Sequence, residues 1–383
     1  MKKRSFILSG LLVISLLVTG CASNQSSGTT SSKDAIKIGW VGPLTGPTST
    51  DGTLSRNAAQ LAIEQFNKDG GVDGKKVELV AEDDQGKPEE ALKAVQKLIN
   101  SDKVSGIVGG GYSGPMKTVT PKIQSAKVPM VVAYAVHPDI TKGGHYVNRV
   151  IYTADVQGKA MADYAVNDLK KKNIAVMYVD IDYGISIYNA FKTEAKKLGA
   201  NIVIEKPFKM GDKDFSSVLT AVKESKPDAL YVVGYYNEAA GIVTQSKELG
   251  INAQFLGVDG FDSPKFLELG KENTQGATFT TSFFATDTRE AVQNFVKAWH
   301  DKYKDSEPDM LSSQSFDATE VILEAMKKAG TDREKLAKAI NETKDFEGTS
   351  GKISFDAQHE VVKPVIFMTV KDGKFQYVKS LNY

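Results

Sequence analysis

Residues 109–115 read Gly-Gly-Gly-Tyr-Ser-Gly-Pro, between an apolar strand-like run and a helical segment. A chain leaving a strand through bare glycines and entering a helix at Ser113 and Pro115 presents free backbone N–H groups at a helix N-terminus. That arrangement takes an anion, and a carboxylate suits it. The stretch formally matches the Gly-x-Gly-x-x-Gly of dinucleotide loops. The next strand-like run, VPMVVAYA, carries no acid at its end to hold a ribose, and Asp139 lies several residues beyond. A nucleophile elbow is excluded as well, because Pro115 stands where Gly-x-Ser-x-Gly needs glycine. Ser113 either touches the anion or caps its own helix, and one hydroxyl can do both. Asp259, in the run GVDG, is a second candidate: a carboxylate at a strand end can hold an ammonium group, or can shape a turn with Gly260 ahead of Asp262-Ser263-Pro264. Asp83 and Asp84 lead into a helix that begins near Pro88 and read as loop formers. Tyr112, Tyr134, Tyr183, Tyr235 and Tyr236 all fall where strand-like runs end. Each offers a flat apolar face and a polar tip, so together they favour a pocket for a small organic ligand.

Catalytic and metal chemistry find little support. His137, His145, His300 and His359 are scattered, without ligand spacing, and Cys21 is the only cysteine. We therefore expect no enzyme activity, no metal and no cofactor. A formal net charge of +1 gives no footprint for nucleic acid.

Elements that would position these residues follow from periodicity. From Ile36 onward, apolar runs alternate with amphipathic ones. IKIGWVGP precedes a helix through Ala59, Ala62, Ile63 and Phe66, and KKVELVAEDD one through Leu92, Val95 and Ile99. NIAVMYVD, NIVIEKPF, DALYVVGYY and AQFLGVDG continue the series. About eight strand–helix units before Phe284 predict an α/β chain with parallel sheets flanked by helices, divided into two sheets of roughly four or five strands. Helices through REAVQNFVKAWHDKY, DATEVILEAMKKAG and DREKLAKAINET follow, then GKISFD and a hairpin turning at Asp372-Gly373. Glycines 199 and 250 mark helix C-termini.

The beginning of the chain addresses it outside the cytoplasm. Lys2, Lys3 and Arg4 precede the apolar run Phe6–Val18, too short for a comfortable membrane span, and then Val18-Thr19-Gly20-Cys21. This resembles a lipoprotein signal, which implies cleavage after residue 20 and a lipid on Cys21. Residues 21–34 read as a flexible tether. The expected location is the extracytoplasmic face of the cell membrane.

The ordered set IKIGWVGPLTGP, NKDGGVDGKKVELVAEDDQGKPEEA, IVGGGYSGP, VPMVVAYAVHPDIT, GDKDFSSVLTAVK, GYYNEAAGIV and FLGVDGF resembles the branched-chain (hydrophobic) amino acid binding proteins of ABC importers. The resemblance implies the type I periplasmic-binding fold, with two lobes joined by three hinge crossings near 149–154, 280–285 and 351–355. Lobe 1 would comprise 35–151 and 283–352, and lobe 2 152–282 and 353–383. It also implies capture of an amino acid by lobe closure and delivery to permease subunits, by a monomer. Carried over by position, Ser113 with the amides of Tyr112 and Gly114 would take the carboxylate. The Tyr134 carbonyl and Asp259 would take the ammonium, and Tyr183 and Tyr235 would close from the second lobe. Three positions depart from the family: Val136 stands where a threonine or serine hydroxyl is usual, Asp51 where an aromatic often covers the ligand side chain, and Leu311 where a wall aromatic is found. Two alternatives remain open at this level: a sensory subunit of a membrane receptor, and a binder of a carboxylate that is not an amino acid.

Overall fold

The computed structural model describes residues 35–383 apart from Asp305; the signal, Cys21 and most of the tether lie outside the described residues. Five strands form the first sheet: β1 (Ile36–Gly42), β2 (Val77–Asp83), β3 (Gly106–Gly109), β4 (Met130–Val132) and β5 (Val147–Arg149). Their order is β2-β1-β3-β4-β5, all parallel. The second sheet repeats this plan with β6 (Asn173–Val179), β7 (Asn201–Phe208), β8 (Ala229–Val233), β9 (Gln254–Gly257) and β10 (Thr278–Thr281). A short ribbon of β11 (Phe346–Gly348) and β12 (Gly351–Ile353) comes next. The hairpin β13 (Val365–Lys371) and β14 (Lys374–Leu381) then adds antiparallel to β10, giving the order β14-β13-β10-β9-β8-β6-β7. The second sheet thus has seven strands rather than the expected four or five. Two reasons account for the difference: the hairpin joins this sheet, and strands as short as four residues leave little periodicity to read. The hairpin turns at Asp372 and Gly373, both at positive φ (52° and 69°), the backbone that a two-residue turn of this hand requires.

The inner strands are built of Ile, Val, Leu, Phe and Tyr that are almost wholly buried, as expected where helices cover both faces of a parallel sheet, while the edge strands β2, β7 and β14 are more exposed. The helix Met310–Ala329 lies on β3 and β4 and against the helix Ser49–Lys68, so the late helices return to the first sheet. It begins well before the apolar run at Asp317. Its first turns are Ser312, Ser313, Gln314 and Ser315, all fully buried and polar, which hides them from any amphipathic pattern. Gln314 donates to Ser282 and Ser313 pairs with Thr349, so this polar turn binds the segments where the chain leaves and re-enters the first sheet. Among the described residues no helix is long and apolar enough to cross a membrane.

Arg149, at the end of β5, is fully buried. It donates to the carbonyls of Ala135 (3.0 Å) and His137 (2.8 Å) and pairs with Glu360, which belongs to the segment leading back to the second sheet. Removing one partner of a buried ion pair strands the other. Arg149→Ala is expected to lower unfolding free energy by on the order of 3 kcal/mol. A urea denaturation midpoint matching that of the wild type would contradict this.

Candidate ligand-binding site

In both sheets the strand order reverses direction beside the first strand, at β1/β3 and at β6/β8. Ligands of open parallel sheets lie outside the carboxyl ends of the strands at such points. A single cavity is lined from both sides by residues just beyond those ends. After β1 comes Asp51, in the first turn of the helix Ser49–Lys68; after β3, Tyr112 and Ser113; after β4, Tyr134 and Ala135. The second sheet supplies Tyr183 after β6, Tyr235 and Tyr236 after β8, and Asp259, Gly260, Asp262 and Ser263 after β9. Met310 and Leu311 complete the wall from the long returning helix.

The Gly-rich loop acts through its backbone. A side chain at Gly110 would place Cβ 2.3 Å from the indole nitrogen of the buried Trp40. Only glycine allows the loop to lie this close to the sheet. The helix Ser113–Ala126 begins directly after, with Tyr112 as N-cap and no side chain capping it. Ser113 is therefore not its own helix's cap; it occupies the first helical position, nearly buried, facing the cavity. Pro115 has no N–H, and the first intrahelical bond is Met116 N–H to the Tyr112 carbonyl at 3.0 Å. The Ser113 and Gly114 amides make no backbone hydrogen bond, leaving the donor end of the helix open at the cavity. The helix then runs unbroken through Pro121.

Tyrosines join the two sides. Tyr235 stacks on Tyr183 (centroids 4.9 Å apart, 13° between planes) and meets Tyr112 from the other side, also at 4.9 Å. Tyr112 lies edge-on to Tyr134 at 6.0 Å. Tyr134 donates its hydroxyl to the Gly110 carbonyl, and Tyr112 donates to Asp51 Oδ2. Tyr183 donates to Asp259 Oδ1 at 2.5 Å, and the Gly260 amide reaches the same oxygen at 3.1 Å. The Tyr235 hydroxyl is buried with no hydrogen-bond partner.

Electrostatically the cavity is acidic. Burial pushes the Asp259 carboxyl above the usual range, against the pull of its Tyr183 hydrogen bond. Burial also raises Asp51 to about 7 and Asp262 to about 8. Asp309, behind the wall, is raised to about 6 by burial and caps the helix Met310–Ala329 in a capping box with Ser312. Asp83 and Asp84 lie elsewhere: Asp83 accepts from the Leu44, Thr45 and Gln85 amides, and Asp84 from Gly86, as loop formers do. Among the described residues no group of His, Cys, Asp and Glu is arranged to hold a metal.

Seven of the nine positions singled out in the sequence line this cavity: Asp51, Tyr112, Ser113, Tyr134, Tyr183, Tyr235 and Asp259. Gly114 does not, and contributes at most an amide. Val136 does not either; its side chain is fully buried in the core and the preceding Ala135 faces the cavity. The missing hydroxyl at Val136 therefore has no direct bearing on a ligand here. Tyr236, one of the strand-exit tyrosines, and Leu311 line it as well, whereas Asp262, Ser263 and Met310 carry no ligand role in the sequence reading. Asp262-Ser263-Pro264 reads as a helix start, and Ser263 does cap the helix Pro264–Gly270, which masks the second use of Asp262.

Gly260 fixes the cradle of Asp259. A Cβ there would lie 2.2 Å from the Gly234 carbonyl oxygen and 3.2 Å from the Tyr183 hydroxyl. Gly260→Ala must push the Asp259 turn away from the end of β8, and we expect destabilisation of about 1–3 kcal/mol. A thermal melt unchanged from wild type would rule this out.

Residues 35–374 match the family described as periplasmic binding protein. The chain belongs to that family. A Leu/Ile/Val-binding protein of Rhizobium johnstonii is 32% identical over 328 residues, covering 84% of this chain and 87% of the relative. A leucine-binding protein of Thermotoga maritima superposes with a TM-score of 0.85 at 33% identity, over 91% of this chain and all but 1% of that one (99%). A branched-chain amino acid transporter substrate-binding protein of Streptococcus pneumoniae, solved with isoleucine, gives 0.86 at 31% identity, over 91% and 100%. Members of this family share the two-sheet α/β architecture described above, so a cleft between the sheets is the place where a solute is expected.

Proposed function

We propose that this chain is the extracytoplasmic solute-binding subunit of an ABC importer. It captures an α-amino acid between two lobes and presents it to permease subunits, as a monomer held to the membrane by lipid on Cys21. One observation carries the reading: a single cavity holds the open donor end of the helix Ser113–Ala126 and, from the other sheet, the buried carboxylate of Asp259. An α-amino acid is the small molecule that offers both complements, a carboxylate for the amides and an ammonium for the aspartate. The lobes correspond to the two sheets with their helices, and the passages beside Arg149, Ser282 and Thr349 serve as hinges. The tilted contact of Tyr112 with Tyr235 across the cleft supports a closed state held by contacts between lobes, to which a ligand adds its own. Nothing in the mechanism requires turnover.

Calorimetric titration tests this directly. The panel holds amino acids, the matching acids without the amino group and the matching amines without the carboxylate. Binding that needs both groups supports the assignment. Equal binding of the deaminated acids would remove the role of Asp259 and favour a carboxylate that is not an amino acid.

A further inference from the structure

The carboxylates around the cavity outnumber what a neutral zwitterion needs. Asp51, Asp259 and Asp262 all line it, and no lysine, arginine or histidine does. On the proposed reading Asp259 answers the α-ammonium, and the helix amides answer the α-carboxylate. Asp262 is engaged by the Thr281 hydroxyl at 2.6 Å. Asp51 remains. It enters from the first sheet, opposite Asp259, only 4% exposed. Its sole side-chain hydrogen bond comes from Tyr112, and it is paired with no cation. An acid in the first turn of a helix is ordinarily a solvated complement to the helix dipole; this one is buried in the cavity wall instead. An independent feature points the same way. The Tyr235 hydroxyl, on a side chain only 6% exposed, is sealed in the same cavity without a partner, close enough to feel the charges of both Asp51 and Asp259. An aliphatic ligand side chain would leave Asp51 desolvated, with the Tyr112 hydroxyl and no counter-charge against it, the costly case for a buried charge. A cationic one would meet a carboxylate, which favours it.

We propose that the ligand is an α-amino acid with a second, cationic group on its side chain, and that Asp51 receives that group. The inference rests on the amino-acid reading above and narrows it to the class of lysine and ornithine.

The test is calorimetry on the purified full chain with L-lysine, L-ornithine, L-norleucine and L-leucine. Norleucine is lysine with a methyl group in place of the terminal aminomethyl group, so the pair isolates the charge. L-lysine is expected to bind at least about 30-fold more tightly than L-norleucine, the range of a buried charge-assisted contact. Asp51→Asn should collapse that ratio by roughly tenfold or more. Norleucine or leucine binding as tightly as lysine would overturn the cationic ligand while leaving an amino-acid binding protein. A ratio unchanged in Asp51→Asn would overturn the role of Asp51. Silence toward all four would sink both this inference and the reading it rests on. The lysine-to-norleucine ratio of the unaltered protein needs no variant to fold.

Discussion

Asp259→Ala should reduce affinity for the amino-acid ligand by about 100-fold or more, the cost of leaving a buried ammonium without its counter-charge. The carboxylate is fixed before ligand arrives, by the Tyr183 hydroxyl and the Gly260 amide on one oxygen. Truncation therefore removes a preorganised partner rather than a mobile one. Specificity should change with affinity: the deaminated acid, which has no use for Asp259, should lose far less. The pH dependence has a definite sign. Burial raises the Asp259 carboxyl in the empty cleft, and an ammonium beside it lowers it again. Binding thus releases a proton wherever the empty site still holds one, so affinity rises with pH from the acid side. Titrations in buffers of different ionisation enthalpy read that proton directly. An affinity retained within about threefold in Asp259→Ala would be far too small a loss for a buried charge pair, and the assignment would not survive it.

Asp51→Asn is expected to stabilise the ligand-free protein, and by an amount that depends on pH. Burial carries this carboxyl from 3.8 to about 7. A raised carboxyl means the folded protein binds a proton that the unfolded chain has already lost, so stability falls as pH climbs from about 4 to about 7. Once both states are ionised, the accumulated penalty is on the order of 4 kcal/mol, at roughly 1.4 kcal/mol per pH unit. Asparagine keeps an oxygen for the Tyr112 hydroxyl and escapes the penalty. The variant and wild type should therefore unfold alike near pH 4 and diverge up to about pH 7, after which the gap stays constant. Asp84 and Asp262 carry the same kind of shift in both proteins and cancel in the difference; Asp309, whose charge acts on Asp51, is the group coupled to the substitution. A gap that does not grow with pH would show that Asp51 ionises normally in the fold.

Much of this site was legible because strand exits are legible. Tyr112, Tyr183, Tyr235 and Asp259 each follow an apolar run, and a parallel sheet gathers such exits at one edge. Side-chain direction past a strand end was not. Beyond β4 the chain continues irregularly: Tyr134 turns its hydroxyl to Gly110, Ala135 faces the cavity, and Val136 turns into the core while its carbonyl accepts from Ala154. The position matched by likeness, Val136, and the residue facing this cavity, Ala135, are therefore neighbours in the chain. Met310 and Asp309 were hidden for another reason. They begin a helix whose first turns are buried serines and glutamine, several bonded to Asp309, Ser282 and Thr349, which leaves no apolar stripe to read.

The terminal hairpin has a consequence for how the chain comes into being. β10 pairs through its whole length with β13, and the first sheet is covered by a helix that starts only at Met310. The first sheet has all its strands by Arg149 but lacks this cover, and the second lacks its last two strands, until the end of the chain is made. A ribosome that has released two thirds of this polypeptide has released no finished folding unit, and long-range pairing of this kind is slow to form.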